Sequence, residues 1–266
     1  FRSCDAVVYG CGASLEAGYL FSQKKDATLD IKQIIGGQLA DAISGKTFER
    51  INPFTGDVAS RSPASGIEDA KAAVAAAQTA FPAWSTTGPG ARRALLNKAA
   101  DVLASKGGEL TELMTAETGA TGGWAGFNAH LAANMLREAA AMTTQIQGEI
   151  IPSDKPGNLS MAMRQPVGVC LGIAPWNAPI ILGVRAIAMA LACGNTVILK
   201  ASEACPGLHV AIGKVFIEAG FPDGVVNVIT NAPEDAAVVV EALVSAPEVR
   251  RVNFRSEEHT SELQSH

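Results

Sequence analysis

The chain has 266 residues, room for an α/β domain and an appendage, and its 48% hydrophobic content supplies a core, which excludes a disordered or fibrous protein. Its 21 basic and 26 acidic side chains leave a net charge of −5, so nothing electrostatic favours nucleic acid or an anionic membrane as partner. The cysteines, Cys4, Cys11, Cys170, Cys193 and Cys205, match no metal-ligand spacing and are odd in number, which points to reduced thiols in a cytoplasmic protein with no metal site.

Residues 1–30 show no sustained period, no export signal and no initiator Met, and their status is left uncertain. Short strands are expected around Ile34 to Gly37 and Thr47 to Pro53, with a turn at Thr55-Gly56. Ser65 and Glu68 have capping-box spacing, and Ile67, Val74, Ala77 and Phe81 then recur on one side of a helix expected to end at Pro82. A second helix carries Leu95, Leu96, Ala99, Val102 and Leu103 and is expected to stop at Gly107-Gly108. Further helical text covers about 109–118 and 128–145, and these helices are expected to form one layer on a sheet.

Between Arg164 and Lys200 the only charge is Arg185, yet Pro166, Pro175 and Pro179 break any single membrane-spanning helix. A buried strand followed by a buried helix needs the same apolarity. Strands are expected at 167–173, 196–199, 225–229 and 251–254, with helices at 179–193, 208–219 and 235–243 between them. Alternation of this kind implies crossover connections and a parallel sheet, with ligands beyond the carboxyl ends of its strands. Residues 174–178, 200–206 and 230–234 are placed there.

Asn177 stands between a buried strand and a helix, flanked by Pro175 and Pro179, where its amide can be a preorganised donor to a developing oxyanion. Satisfying turn backbone groups is the alternative. Lys200 ends a strand, with Ser202 and Glu203 just beyond; such a pair can hold ribose hydroxyls, or be a solvated loop pair. No GxGxxG follows any strand.

Three motifs in order resemble the aldehyde dehydrogenase superfamily: Gln165-Pro166-Val167-Gly168 running through Ala174-Pro175-Trp176-Asn177-Ala178-Pro179, then Cys193-Gly194-Asn195-Thr196 through Lys200-Ala201-Ser202-Glu203, then Glu218-Ala219-Gly220-Phe221-Pro222 through Val225-Val226-Asn227. The resemblance covers about Ile34 to Phe254 and, within the family, leans toward the dehydrogenases of salicylaldehyde and other aromatic aldehydes. It implies the α/β fold of that family, a parallel sheet with flanking helices, truncated before the catalytic domain. It implies Asn177 in the oxyanion hole, Ile173, Ala174, Pro175 and Trp176 at the nicotinamide end, and Lys200, Ser202 and Glu203 at the adenosine ribose. The acid at Glu203 favours NAD over NADP. Arg185, eight residues past Asn177, would face the substrate tunnel and select a hydroxylated aromatic aldehyde; an arginine at a subunit interface is the alternative.

By the same resemblance, residues 31–147 form the N-terminal part of the cofactor domain, 148–163 a hairpin that serves oligomerisation, and 164–254 the NAD(P)-binding region. The parent would be a homo-oligomer oxidising an aldehyde to its acid. A semialdehyde or acyl-CoA-forming dehydrogenase, or a fragment that binds NAD without turnover, is the alternative. Two departures stand out. Asn231-Ala232-Pro233-Glu234 replaces the family's frequent Gly-Pro pair, and the polar run 255–266 lacks the expected glycine loop and is read as an artefactual tail, a solvated tail being the alternative. The family's nucleophilic cysteine and general-base glutamate then have no positions here, and none of the five cysteines fits the nucleophile's role.

Overall fold

The computed structural model describes residues 28–255; the expectations for residues 1–27, with Cys4 and Cys11, and for the tail beyond Arg255 lie outside the described residues. Five short strands come first: β1 (Leu29–Asp30), β2 (Gln33–Ile35), β3 (Gln38–Ala40), β4 (Thr47–Ile51) and β5 (Val58–Pro63). Helices α1 (Ile67–Ser85), α2 (Pro89–Ser105), α3 (Gly107–Thr118) and α4 (Gly122–Met142) follow, then strands β6 (Glu149–Ile151) and β7 (Ser160–Ala162). The rest alternates through β8 (Val169–Ile173), α5 (Pro179–Ala192), β9 (Thr196–Lys200), α6 (Pro206–Ala219), β10 (Val226–Ile229), α7 (Ala236–Val244) and β11 (Val249–Phe254).

The main sheet has the order β11-β8-β9-β10-β2-β3. Its first four strands are parallel, as the helical crossovers demand, whereas β2 and β3 add an antiparallel edge that the alternation alone did not predict. A smaller sheet has the order β1-β5-β4, and among the described residues β6 pairs with β7 alone, antiparallel. Both faces of β8, β9 and β10 are covered, which is why they read as unbroken apolar runs, whereas β11 at the sheet's edge is largely exposed and carries Arg250 and Arg251. Cys170, Val197, Leu199, Val226 and Val228 face α5 and α6, while Val169, Leu171, Ile198 and Ile229 face α1 and α7. None of the described helices is long and apolar enough to cross a membrane.

The single helical layer expected from the sequence is not what forms. Ala70, Ala73, Val74 and Ala77 lay α1 directly on the sheet face opposite α5 and α6. The alanine faces of α2 and α4, including Ala99, Ala100, Ala132, Ala133, Ala139 and Ala140, join instead the core built on α5 and α6. Helices α2–α4 therefore make a second tier outside α5 and α6, because small side chains permit close helix–helix approach.

Other expectations also shift. Helix α1 is capped at Gly66, whose N–H donates to Asp69 Oδ2 at 3.0 Å, so the Ser65–Glu68 box does not form. Ser65 Oγ donates instead to Gln33 Oε1 at 2.6 Å, and Asp69 also accepts from Gln33 Nε2 at 2.7 Å. Pro82 lies inside α1 rather than ending it. The carbonyl it leaves without a helical donor is that of exposed Gln78, which water can serve, and Trp84 anchors the last turn in the core beside Phe221. Helix α2 stops just before Gly107-Gly108 as expected, but the two glycines open α3, and α4 begins at Gly122, ahead of the expected start, where Thr121 accepts from the Trp124 N–H. Gly194, at φ +82°, closes α5 as expected.

Candidate functional site

Strands β8 and β9 end in register, Ile173 opposite Lys200, so the loops that leave them lie side by side at one edge of the sheet. The first loop carries Ala174 and Pro175, both buried, then Trp176 and Asn177, both exposed. Ile173 is half-buried beneath them. Asn177 Oδ1 accepts the Ala178 N–H at 3.0 Å, which leaves the Nδ2 hydrogens for other acceptors. The indole Nε1 of Trp124 donates to the Asn177 carbonyl at 3.2 Å and so pins that backbone from α4. Trp124 in turn stacks on Phe127 with ring centroids 5.6 Å apart, and both rings are exposed. This aromatic pair was not singled out from the sequence, where residues 119–127 fell between two expected helices and only the earlier start of α4 places both rings on it.

The second loop carries the charges. Lys200 is buried and its Nζ meets Glu203 Oε1, which also accepts from Asn231 Nδ2 at 2.8 Å. Burial alone would raise the Glu203 carboxyl, but the Lys200 charge and the hydrogen bonds outweigh it, so the group sits below its ordinary value and stays ionised. Ser202 is buried and its Oγ accepts from the Ala204 N–H at 3.3 Å. Asn231, in the loop whose sequence departed from the resemblance, joins this group, and its Oδ1 is buried with no protein partner. The structure thus gathers Lys200, Glu203 and Asn231, and sets the Asn177 loop beside them.

Arg185 and Met189, one turn apart, are the exposed members of a largely buried α5. Among the described residues Arg185 has no ion-pair partner within 4.0 Å. Burial pushes the Cys170 thiol up to about 11, and Cys205, fully buried, is raised as well. Cys193 is exposed but caps the far end of α5 from Asn177. None of these three sulfurs is a ready thiolate beside the amide. No cluster of metal-ligating side chains occurs among the described residues.

Two buried groups behind the loops escaped sequence reasoning. Glu117, at the end of α3, accepts from the Gly207 and Leu208 N–H groups at 2.9 and 3.0 Å and from Ser60 Oγ at 2.5 Å. Burial pushes its carboxyl up to about 7 against the pull of Ser60, those two amides and Arg50. His209, on α6, accepts the Ser202 N–H at Nδ1 (3.0 Å) and reaches the Pro179 carbonyl with Nε2 (3.2 Å).

Comparisons with known proteins agree with this architecture. The model of the aldehyde dehydrogenase family matches residues 40–263. A vanillin dehydrogenase of Pseudomonas fluorescens is 60% identical over 235 residues, 88% of this chain and 48% of that protein. The crystal structure of a salicylaldehyde dehydrogenase from Pseudomonas putida G7, complexed with salicylaldehyde, has a TM-score of 0.86 at 44% identity, covering 88% of this chain and 49% of that one. That of an NAD-dependent benzaldehyde dehydrogenase from Corynebacterium glutamicum has a TM-score of 0.82 at 31% identity, covering 87% of this chain and 51% of that one. The chain belongs to the aldehyde dehydrogenase family. It spans about half the length of these relatives.

Proposed function

We propose that this chain supplies the cofactor-binding and oxyanion-stabilising half of an NAD-dependent dehydrogenase that oxidises an aromatic aldehyde to its carboxylic acid in the cytoplasm. The observation that carries the reading is the shared edge where β8 and β9 end, with Asn177 on one loop and the Lys200–Glu203 pair on the next. The donor set suits a vicinal diol: an ammonium, an ionised carboxylate and the unpartnered Asn231 Oδ1 offer both signs of hydrogen bond to ribose hydroxyls. An ionised Glu203 repels a 2′-phosphate, which favours NAD over NADP. Ile173, Ala174, Pro175 and Trp176 line the nicotinamide end, Ser202 shapes the ribose loop, and the bound nicotinamide supplies the hydride acceptor. Asn177 Nδ2 donates to the aldehyde oxygen as charge develops there. Trp124 and Phe127 offer an aromatic wall beside it, and Arg185 attracts an oxygen substituent on the substrate ring.

Calorimetric titration of the 266-residue chain tests the reading: saturable NAD binding is expected, weaker NADP binding, and a narrowed preference in Glu203→Gln. No saturable binding of NAD sinks it. With salicylaldehyde and NAD together, this chain is expected to form no NADH at 340 nm, because none of the described cysteines lies as a thiolate near Asn177. Sustained turnover would contradict that. The substrate assignment to Arg185 is checked in a protein extended to the relatives' length, where Arg185→Leu is expected to lower the salicylaldehyde-to-benzaldehyde efficiency ratio. The exposed apolar side chains of the β6–β7 pair, Ile150 and Met161 among them, suit it to a subunit contact in a homo-oligomeric parent.

A further inference from the structure

The loops after β8 and β9 are joined behind the sheet edge by one side chain. His209 is completely buried on α6, two residues past the point where Glu117 meets the start of that helix. Its Nδ1 accepts the Ser202 N–H at 3.0 Å, so the ring proton must sit on Nε2, 3.2 Å from the Pro179 carbonyl. Ser202 belongs to the Lys200–Glu203 loop; Pro179 is the first residue of α5, two past Asn177. Both contacts are backbone groups, so the ring fixes the course of the chain on both sides rather than the pose of one side chain. Burial holds its protonation down to about 4, and Lys200 works in the same direction, so the single neutral tautomer persists at neutral pH.

The fold also makes room for this ring. A Cβ on Gly183 would lie 3.1 Å from His209 Cδ2 and 2.7 Å from Ile212 Cδ1. Glycine in the middle of α5 weakens the helix relative to alanine, and the approach of α6 and its imidazole accounts for its presence there. An aliphatic side chain would fill the volume but orphan the Ser202 N–H and remove the donor from Pro179.

We propose that His209 is a positioning residue, a neutral strut that locks the ribose-side loop to the turn bearing Asn177, so that a nucleotide on Lys200 and Glu203 is felt at the amide. The inference rests on the reading of those loops given above. It makes adenosine binding and donor placement coupled quantities, carried by one buried ring. The reporter is already present: the Trp124 indole N–H is bonded to the Asn177 carbonyl.

The probe is adenosine 5′-monophosphate, which spans the ribose loop but lacks the nicotinamide half. Titrated into the 15N-labelled 266-residue chain, it is expected to shift the Trp124 indole resonance, assigned by its loss in Trp124→Phe. In His209→Leu the nucleotide is expected to bind roughly fivefold more weakly and the Trp124 shift at saturation to fall below about half. His209→Gln, which retains a donor for Pro179, is expected to recover part of the shift. If the leucine variant does not fold, Gly183→Ala, whose Cβ would press on the ring at 3.1 Å as well as on Ile212 at 2.7 Å, is expected to show a reduced shift. Wild-type affinity and a wild-type Trp124 shift in His209→Leu, or a wild-type shift in Gly183→Ala, overturn the strut. Binding to the wild-type chain with no Trp124 shift overturns it while leaving the ribose site intact. No binding to the wild-type chain removes the ribose site and the strut together.

Discussion

Helices α5 and α6 begin alike and are used differently. Each follows a loop from a parallel strand, each has proline at its first turn, and they pack beside each other on one face of the sheet. At α6 the Gly207 and Leu208 N–H groups are taken by Glu117, a carboxyl group brought in from α3 and sealed from solvent. At α5 the cap is Ala178, without a side-chain bond, and the neighbouring Asn177 is exposed. A helix start attracts negative charge. One start is occupied by the protein's own acid and serves the architecture, whereas the other is kept at the surface beside a polar amide, where a reacting oxygen can reach it.

That contrast is broken most severely at Glu117. Glu117→Ala removes the acceptor from two backbone amides and the Ser60 hydroxyl in a buried place, and is expected to cost about 3 kcal/mol or more, read as a lower urea midpoint at unchanged m value. A loss under about 1 kcal/mol would mean that α6 does not depend on its internal cap.

A smaller effect is read through pH. With its carboxyl pushed up to about 7 from 4.5, folded Glu117 keeps a proton that the unfolded chain has released between those values. Its contribution is therefore fully present below pH 4.5 and is lost as pH rises through 7, with a slope of at most about 1.4 kcal/mol per pH unit. His209, held down at about 4, has the opposite sign: its unfolded form binds the extra proton between about 4 and 6.5. That term is common to wild type and Glu117→Gln and cancels in their difference. Wild type is thus expected to lose stability relative to Glu117→Gln between pH 5 and pH 8, and a flat difference would place the Glu117 carboxyl outside that range.

The sequence announced the α5 start far better than the α6 start, for physical reasons. Val169–Ile173, Thr196–Lys200 and Val226–Ile229 are apolar because both faces of the sheet are covered, and the Pro-Trp-Asn-Ala-Pro turn carries its own local constraints. Glu117 has no such local mark. It sits in Thr-Ala-Glu-Thr-Gly at the end of a helix, and its partners lie 90 and 91 residues away in the chain. His209 on an apolar helix reads as any core histidine until the backbone groups at both its nitrogens are known. Pro82 misled for the complementary reason: its cost depends on whether the Gln78 carbonyl meets water, which periodicity does not encode. The layer order was likewise illegible, since alanine faces such as those of α1 and α4 suit a sheet or another helix equally well.

The least disruptive change is expected at the residue closest to the proposed chemistry. Asn177 is exposed, its side-chain bond to Ala178 is a local one, and the backbone contact from Trp124 uses its carbonyl, which survives substitution. Asn177→Ala should therefore move the stability of this chain by no more than about 0.5 kcal/mol, against the several-fold larger loss at Glu117. Affinity for adenosine 5′-monophosphate should also be unchanged, because the ribose loop and the His209 contacts do not involve the amide. In a protein extended to the length of its relatives, the same change should lower kcat by roughly 100-fold or more, the effect of removing one oxyanion donor. A large drop in the urea midpoint of the 266-residue chain would instead make Asn177 part of the scaffold, and the difference between the two helix starts would no longer separate architecture from function.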